Sequence, residues 1–369
     1  MKIGLIIDTF NLGGAETMVF ETARLLKESG HTPILLHFGS EYVLDCANNL
    51  EIQHIVIPNH RYYKKTALLP LFAIKGIRFL KSLELDCLHS HLFGPIIAFA
   101  PIAYMLRLRH IGTLHDVYMI EDVPKRIWLI KLAKVLNTKL VCVSKPMRDF
   151  YIQTGRFNKQ DVNYIPNFSQ KNAHLEERKP VRAELEIADT DIVIISVGRL
   201  VKLKRFDILI RAIALIEDRK HIKVLIAGNG PEFDALNLLV KQLGLSDSVT
   251  LLGERKDIQR LLAAADIFTL TSETEGMSKS ILEALAARLP VIATDVGGNK
   301  DLVIDSKNGY IIPDHTPDSL AQKIKALCQD STLRSEMGIL SEKLLDQEYN
   351  SAIFLKRHID IYQGALGSN

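Results

Sequence analysis

Along the first 165 residues, short aliphatic and β-branched runs alternate with longer amphipathic stretches. KIGLIID (2–8), TPILLHF (32–38), IQHIVIP (52–58), DCLHSH (86–91), HIGTLHD (110–116) and KLVCVS (139–144) read as strands. Helical patterns lie between most of them, the first over residues 15–29. These strands are apolar throughout rather than alternating, which suits a parallel sheet covered by helices on both faces. A second series starts near Asp191, with strands DIVIISVG, KVLIAG, VTLLG, DIFTLTS, PVIATDVG and GYIIP. Helical spacing follows at about 206–216, 231–243, 257–265, 279–288 and 316–328. The pattern therefore predicts two doubly wound α/β domains, 1–170 and 191–350. The polar, charged stretch 171–190 between them reads as a linker. Ligands of such sheets bind beyond the carboxyl ends of the strands, so two domains of this kind are expected to face each other across a cleft.

Composition narrows the function. The chain has 369 residues, 47% hydrophobic and 24% charged, with a net charge of +3. That is enough apolar material for two soluble cores. No basic stripe with interleaved aromatics appears, which excludes a general nucleic-acid binder. The charge is uneven: residues 1–170 hold 20 Lys and Arg against 14 Asp and Glu, and the remainder holds 26 against 29. Such asymmetry can mark a domain that faces anions or a membrane. Cys46, Cys87, Cys142 and Cys328 are too scattered for a disulfide framework or a zinc site, and point to reduced thiols in the cytosol. The start MKIGLIID does not read as a signal peptide, and the longest apolar run, 94–106, is too short to span a bilayer.

The residues after each strand carry the candidate chemistry. Gly13-Gly14 precede a helix and allow close approach of a phosphate, without forming the dinucleotide-binding glycine fingerprint. His89, His91, His115 and Asp116 lie at strand ends, where a histidine can bond a sugar hydroxyl or pass a proton; a buried, bonded histidine is the plain alternative. His89 and His91 share a strand face, but no carboxylate accompanies them at suitable spacing, so no metal site is expected. In the second series, Arg199 and Lys204 follow Gly198 and suit a diphosphate. Gly228 and Gly230 permit close approach, and Arg255 and Lys256 follow Gly253. Glu275 stands just ahead of a helix start at Met277, Ser278 and Lys279, and Glu283 lies about 12 Å of helix rise further on. Carboxylates so separated suit hydroxyls on two parts of one long ligand, and the helix-start amides suit a phosphate.

These motifs together resemble the family 4 glycosyltransferases, retaining enzymes of GT-B fold. The match runs over essentially the whole chain and is strongest over 193–303. It rests on Gly198-Arg199-Leu200 with Lys204, on Glu275-Gly276 with Glu283-Ala284, on LPVIATDVGG (289–298), and in the first half on GGAE (13–16), His115, VSKPMRDF (143–150) and YIPNF (164–168). The resemblance implies that Arg199 and Lys204 bind a donor diphosphate and Glu283 the ribose. It implies that Glu275 and the amides after it hold the donor sugar, with residues 255–257 at the base and Gly14 on the phosphates. His115 would lie near the donor sugar and the acceptor, with Glu16, His91 and Asp116 on the acceptor side. No cofactor or metal is implied. A UDP-sugar is the favoured donor, a saccharide or lipid-linked saccharide the acceptor, and polysaccharide or glycoconjugate synthesis the setting. Residues 351–369 would form a helix returning to the first domain. Arg288, Asp301 and Ser278-Lys279 depart from the family's usual residues.

Two other readings stay open at this point: a nucleotide-sugar epimerase of the same fold, and a non-catalytic nucleotide-sugar-binding subunit. Residues 61–81, RYYKKTALLPLFAIKGIRFLK, hold six basic and no acidic residues interleaved with apolar ones, and PKRIWLIKLAKVL (124–136) has the same character. They suggest peripheral contact with an anionic membrane from the cytoplasmic side, against the plainer reading of helices with basic solvent faces.

Overall fold

A computed structural model describes residues 1–8, 13–58 and 69–364. The chain divides into two compact units: residues up to Asn167 joined by the C-terminal helix from Ser351, and residues 168–350. The expected linker is therefore not free chain. It belongs to the second unit, for a reason given below.

The first unit holds β1 (Lys2–Ile7), β2 (Thr32–His37), β3 (Gln53–Val56), β4 (Cys87–His91), β5 (Arg109–Leu114), β6 (Thr138–Cys142) and β7 (Val162–Tyr164). Its helices are α1 (Gly14–Glu28), α2 (Glu41–Asn49), α3 (Leu69–Ser82), α4 (Phe93–Leu106), α5 (Tyr118–Asp122), α6 (Ile127–Val135) and α7 (Lys145–Gly155). The sheet is parallel in the order β3-β2-β1-β4-β5-β6-β7. The interiors of β1, β2, β4 and β5 are buried on both faces, which is why they read as unbroken apolar runs. α4 is apolar around its whole circumference because it packs against β5, α3 and α6. Ile6, Leu36, Leu88, Phe99 and Ile102 share one core.

The second unit opens with α8 (Arg178–Glu184), followed by β8 (Ile192–Val197), α9 (Phe206–Ala214), β9 (Ile222–Ala227), α10 (Phe233–Gln242) and β10 (Val249–Gly253). Then come α11 (Ile258–Ala264), β11 (Ile267–Leu270), α12 (Lys279–Ala286), β12 (Val291–Thr294), α13 (Asn299–Leu302), β13 (Gly309–Ile312), α14 (Pro317–Gln329) and α15 (Ser331–Glu348). Its parallel sheet runs β10-β9-β8-β11-β12-β13. Arg182 anchors α8 here: it is buried, its Nη2 lies 2.6 Å from Asp266, and its other nitrogens donate to the carbonyls of Ala264 and Asp191. Arg178 reaches the same carboxylate. A stretch that looks solvated from its charge is thus tied down by a buried guanidinium–carboxylate cluster. The last helix, α16 (Ser351–Gln363), packs on α1 and β5 of the first unit.

Each sheet reverses its strand order once, between β1 and β4 in the first unit and between β8 and β11 in the second. Such switch points open a crevice at the carboxyl ends of the strands. At or just beyond these four strand ends lie Gly13, His91, Arg199 and Glu275.

Candidate active site

In the second unit, β8 delivers Gly198 and Arg199, and a short 3-10 turn at Lys202–Lys204 follows. β11 delivers Ser272 and Glu275 from the other side of the switch point. The two loops are laced together. Glu273 donates its amide to the Leu203 carbonyl, and Thr271 Oγ1 donates to the carbonyls of Lys204 and Arg205. Lys204 Nζ lies 2.5 Å from Glu275 Oε1, and Ser272 Oγ donates to the same oxygen at 2.6 Å. Glu275 Oε2 makes no hydrogen bond among the described residues. One carboxylate oxygen is therefore doubly held while the other remains available to a ligand. Arg199 is exposed and makes no ion pair among the described residues. The two cations expected from the sequence thus differ: one guanidinium is free, and one ammonium is already matched by a carboxylate.

Ser278 caps α12, accepting from the Ile281 amide at 3.2 Å, while Ser278 and Ser280 hydroxyls lie 3.0 Å apart. Met277 is buried, as is Ser278. Lys279 sits one turn before Glu283 and pairs with it at 3.7 Å. The turn at Glu275 rests on the GG of the LPVIATDVGG segment. Gly298 donates to the Gly276 carbonyl at 2.9 Å, and a Cβ on Gly297, at φ +48°, would lie 1.8 Å from the Glu275 carbonyl oxygen. That segment is needed to seat the carboxylate loop.

Gly228 and Gly230 do permit close approach, but to the protein's own backbone. A Cβ on Gly228 would meet the Gly198 carbonyl oxygen at 1.9 Å, and one on Gly230 the Leu200 carbonyl oxygen at 2.4 Å. Their amides are also engaged, with Gly253 O and Asn229 Oδ1. They brace the Gly198 loop. Arg255 forks onto Asp257 at 2.8 Å and 2.7 Å and reaches Glu184 of α8, whereas Lys256 is exposed. Arg288, where the family has a small glycine, sits just past α12 with φ +59° and pairs with Glu342. It holds a left-handed helix-end position that glycine adopts without strain. Asp301 lies in the short α13, its carbonyl accepting from Tyr349. Asp191 of the only Asp-x-Asp run accepts from the Ala188 amide at a strand entry, and no group of three or more potential metal ligands occurs among the described residues.

In the first unit, Gly14 opens α1, and Glu16 lies in its first turn. β4 and the end of β5 bring His89, His91 and His115 into one stack. His89 Nδ1 lies 2.7 Å from the Tyr362 hydroxyl of α16, and its Nε2 lies 2.7 Å from Thr113 Oγ1. The His91 ring centroid is 4.0 Å from that of His89, and its Nδ1 is 3.1 Å from His115 Nε2. His358 of α16 completes the cluster beside His89. Burial, reinforced by neighbouring histidines, drives His89 and His91 well below the ordinary imidazole range. Burial pushes His115 and His358 down to about 4 each. On the opposite face, Ser90, His110 and Thr138 form a cross-strand ladder, and burial lowers His110 to about 3. His91 is only 2% exposed, and its Nδ1 is turned to His115. Asp116 follows His115, and its carbonyl accepts from Tyr151. Sequence reasoning missed Ser272, whose only signal was its place three residues before Glu275. It also missed Tyr362 and His358, which lie more than 240 residues from their partners.

Two family models match the chain: Glycosyltransferase Family 4 over residues 12–169 and Glycosyl transferases group 1 over residues 177–343. The chain belongs to the family 4 glycosyltransferases. It is 25% identical over 373 residues to an N-acetyl-alpha-D-glucosaminyl L-malate synthase of Bacillus anthracis, covering 99% of this chain and 97% of that one. It is 27% identical over 346 residues to an N-acetylgalactosamine-N,N'-diacetylbacillosaminyl-diphospho-undecaprenol 4-alpha-N-acetylgalactosaminyltransferase of Campylobacter jejuni, covering 90% and 92%. Among solved structures, Anabaena HepE in complex with UDP is similar, with a TM-score of 0.87 and 21% identity over 99% of this chain and all of that one. This glycosyltransferase has the GT-B fold.

Proposed function

We propose that this enzyme transfers a sugar from a UDP-sugar to a saccharide or lipid-linked saccharide acceptor, with retention of configuration and without a metal. The observation that carries the reading is the carboxylate of Glu275, fixed through one oxygen by Lys204 and Ser272 and open at the other. It sits between a free guanidinium, Arg199, and the start of α12. In this reading Oε2 of Glu275 accepts from a sugar hydroxyl, Glu283 takes the ribose, and Arg199, Lys204 and the α12 amides take the diphosphate. Residues 255–257 face the base, with Lys256 the side chain free to do so. As the bond between the sugar carbon and the phosphate oxygen breaks, negative charge grows on the departing diphosphate, where these cations act most. The acceptor hydroxyl attacks the same face of that carbon, and its proton passes to the leaving phosphate oxygen. Glu275, held by two partners on one oxygen, supports a role in binding rather than as a nucleophile. In the first unit, His115, Asp116 and Glu16, the last in the first turn of α1, would bind the acceptor.

The names of the relatives support the substrate classes. The Campylobacter protein is named for a diphospho-undecaprenol acceptor, and HepE was crystallised with UDP. A lipid-linked acceptor also fits the surface of the first unit. Trp128 is 68% exposed and Val135 73%, beside exposed Leu132 on α6, and exposed Tyr104 and Met105 on α4 and Leu71 and Ile74 on α3. α4 packs against both α3 and α6, so these side chains lie on adjoining helices. Lys75, Arg78 and Lys81 are exposed on α3, while the Arg61, Lys64 and Lys65 portion of the basic stretch lies outside the described residues. An apolar face with basic neighbours suits the surface of an anionic bilayer. Among the described residues no helix is long and apolar enough to cross a membrane.

The test is a thermal-shift screen of nucleoside diphosphates and their sugars, followed by NMR of the anomeric proton in the product. Stabilisation by UDP-sugars and a retained anomer support the reading; an inverted product, or sugar isomerisation without acceptor, overturns it. Co-sedimentation with anionic liposomes, lost when Arg78 and Lys81 are changed to Glu, tests the membrane contact. Binding indifferent to that reversal and to salt would refute it.

A further inference from the structure

The histidine stack decides which nitrogen of His115 carries its proton. His91 Nδ1 and His115 Nε2 are 3.1 Å apart, and between two neutral rings one nitrogen must donate and the other accept. Burial keeps both rings neutral near pH 7. If His115 Nε2 donates, His91 must accept on Nδ1 and carry its own proton on Nε2. That atom is buried with no hydrogen-bond partner. An orphaned buried N–H is costly and rare, while a bare ring nitrogen gives up less. If His91 Nδ1 donates instead, its Nε2 is merely a buried lone pair without a donor, and His115 is left protonated on Nδ1. His115 Nδ1 makes no hydrogen bond among the described residues, so that N–H is available to a ligand.

The geometry around His91 is held from several sides. Its ring lies against His89, which is itself gripped through both nitrogens by Thr113 and Tyr362. The next residue, Leu92, has φ +72° and ψ 159°, a region that suits glycine, and its amide is held by the Thr113 carbonyl. A side-chain-bearing residue persists there only when its surroundings over-determine it.

We infer that His91 is a positioning residue that locks His115 in the tautomer protonated on Nδ1, so that His115 offers the bound sugar or acceptor an N–H donor rather than a lone pair. This rests on the reading that His115 faces the substrates, but the tautomer can be measured without them. His91 itself touches neither substrate. Its contribution is to deny His115 the alternative tautomer, which would put a lone pair against an oxygen that needs a donor.

The experiment is a long-range proton–nitrogen correlation spectrum of ligand-free protein labelled with ¹⁵N in histidine, with His115 assigned from a His115→Gln variant. In the wild type at neutral pH, His115 Nδ1 should appear as the protonated nitrogen and Nε2 as the bare one. His91→Leu should release His115 to the mixture dominated by Nε2–H that free imidazoles show. His91→Asn, whose amide overlays the lost donor, should restore the Nδ1–H form. Turnover should follow the tautomer, falling by about tenfold or more in His91→Leu, since a wrong tautomer disables an otherwise intact site, and recovering in His91→Asn. A wild-type His115 protonated on Nε2, or a tautomer unchanged in His91→Leu, overturns the inference. Should His91→Leu not fold, the wild-type spectrum still decides. If the tautomer is as stated but His115→Ala keeps full turnover, the placement of His115 at the substrates fails instead.

Discussion

Arg199 and Lys204 carry the same formal charge five residues apart, yet their removal should have different consequences. Arg199 is exposed and unpaired among the described residues, so Arg199→Ala should change stability by less than about 0.5 kcal/mol. Its loss removes a donor aimed at charge that develops in the transition state, and kcat should fall about 10²- to 10³-fold. Lys204→Ala leaves Glu275, whose side chain is 10% exposed, without its countercharge. Lys204 is itself partly exposed, so the cost falls between that of a surface pair and a buried one, about 2–3 kcal/mol. Glu275→Gln in the Lys204→Ala background should recover about 1.5 kcal/mol of it, because the stranded charge is gone. Release of nucleoside diphosphate measures the rates. Hydrogen exchange of peptides covering 266–286 measures the stability of this part of the second unit, and avoids treating a two-unit protein as a single transition. Full activity in Arg199→Ala, or undiminished protection in Lys204→Ala, would refute the assignment of a free phosphate ligand beside a pre-matched one.

Other consequences follow from the same geometry. The first unit should lose stability as pH falls below about 6.5: the unfolded histidines bind protons there, while His358 in the fold waits until about pH 4 and His110 until about pH 3. Each such histidine contributes up to about 1.4 kcal/mol per pH unit across that window, and exchange of β4 and β5 amides between pH 7.5 and 5 reads it; pH-independent protection would contradict the burial of the stack. Gly228→Ala should abolish soluble expression or lower the melting temperature sharply, because the new methyl group meets the Gly198 carbonyl at φ +147°, and a silent substitution would show that the loop brace is not needed. Turnover should survive EDTA, and loss of rate restored by magnesium or manganese would mean that the cations of the chain do not suffice for the diphosphate.

Much of the architecture is legible because buried parallel strands announce themselves as aliphatic runs. The six strands expected in the second series are all present, and the six expected in the first are among the seven found in its described residues. The seventh, β7, is three residues long with Asn163 at its centre and offers no periodicity. α8 was hidden because charge suggested solvent, whereas Arg178 and Arg182 spend theirs on Asp266. α15 showed no apolar stripe to read; its buried face includes Gly338 and Ser341. For the site, motif spacing named Arg199, Lys204, Glu275 and Glu283, but could not show that Lys204 and Glu275 pair. Nor could it separate a glycine that faces a ligand from one that faces backbone, as Gly228 and Gly230 do. The histidine stack was half visible: His89, His91 and His115 stand at strand ends, but α16 brings Tyr362 and His358 from the far end of the chain. A strand-end position made His91 an acceptor candidate, but could not show that its ring is packed between His89 and His115.

The central claim is a donor site built within the second unit on Arg199, the Lys204–Glu275 pair and Glu283. A crystal structure with UDP tests it most directly, backed by calorimetric titration of the wild type, Arg199→Ala and Glu283→Ala. The account predicts the diphosphate within hydrogen-bond distance of Arg199 and the start of α12, the ribose on Glu283, and weaker binding in both variants. UDP seated elsewhere, or bound with undiminished affinity by both variants, would contradict it.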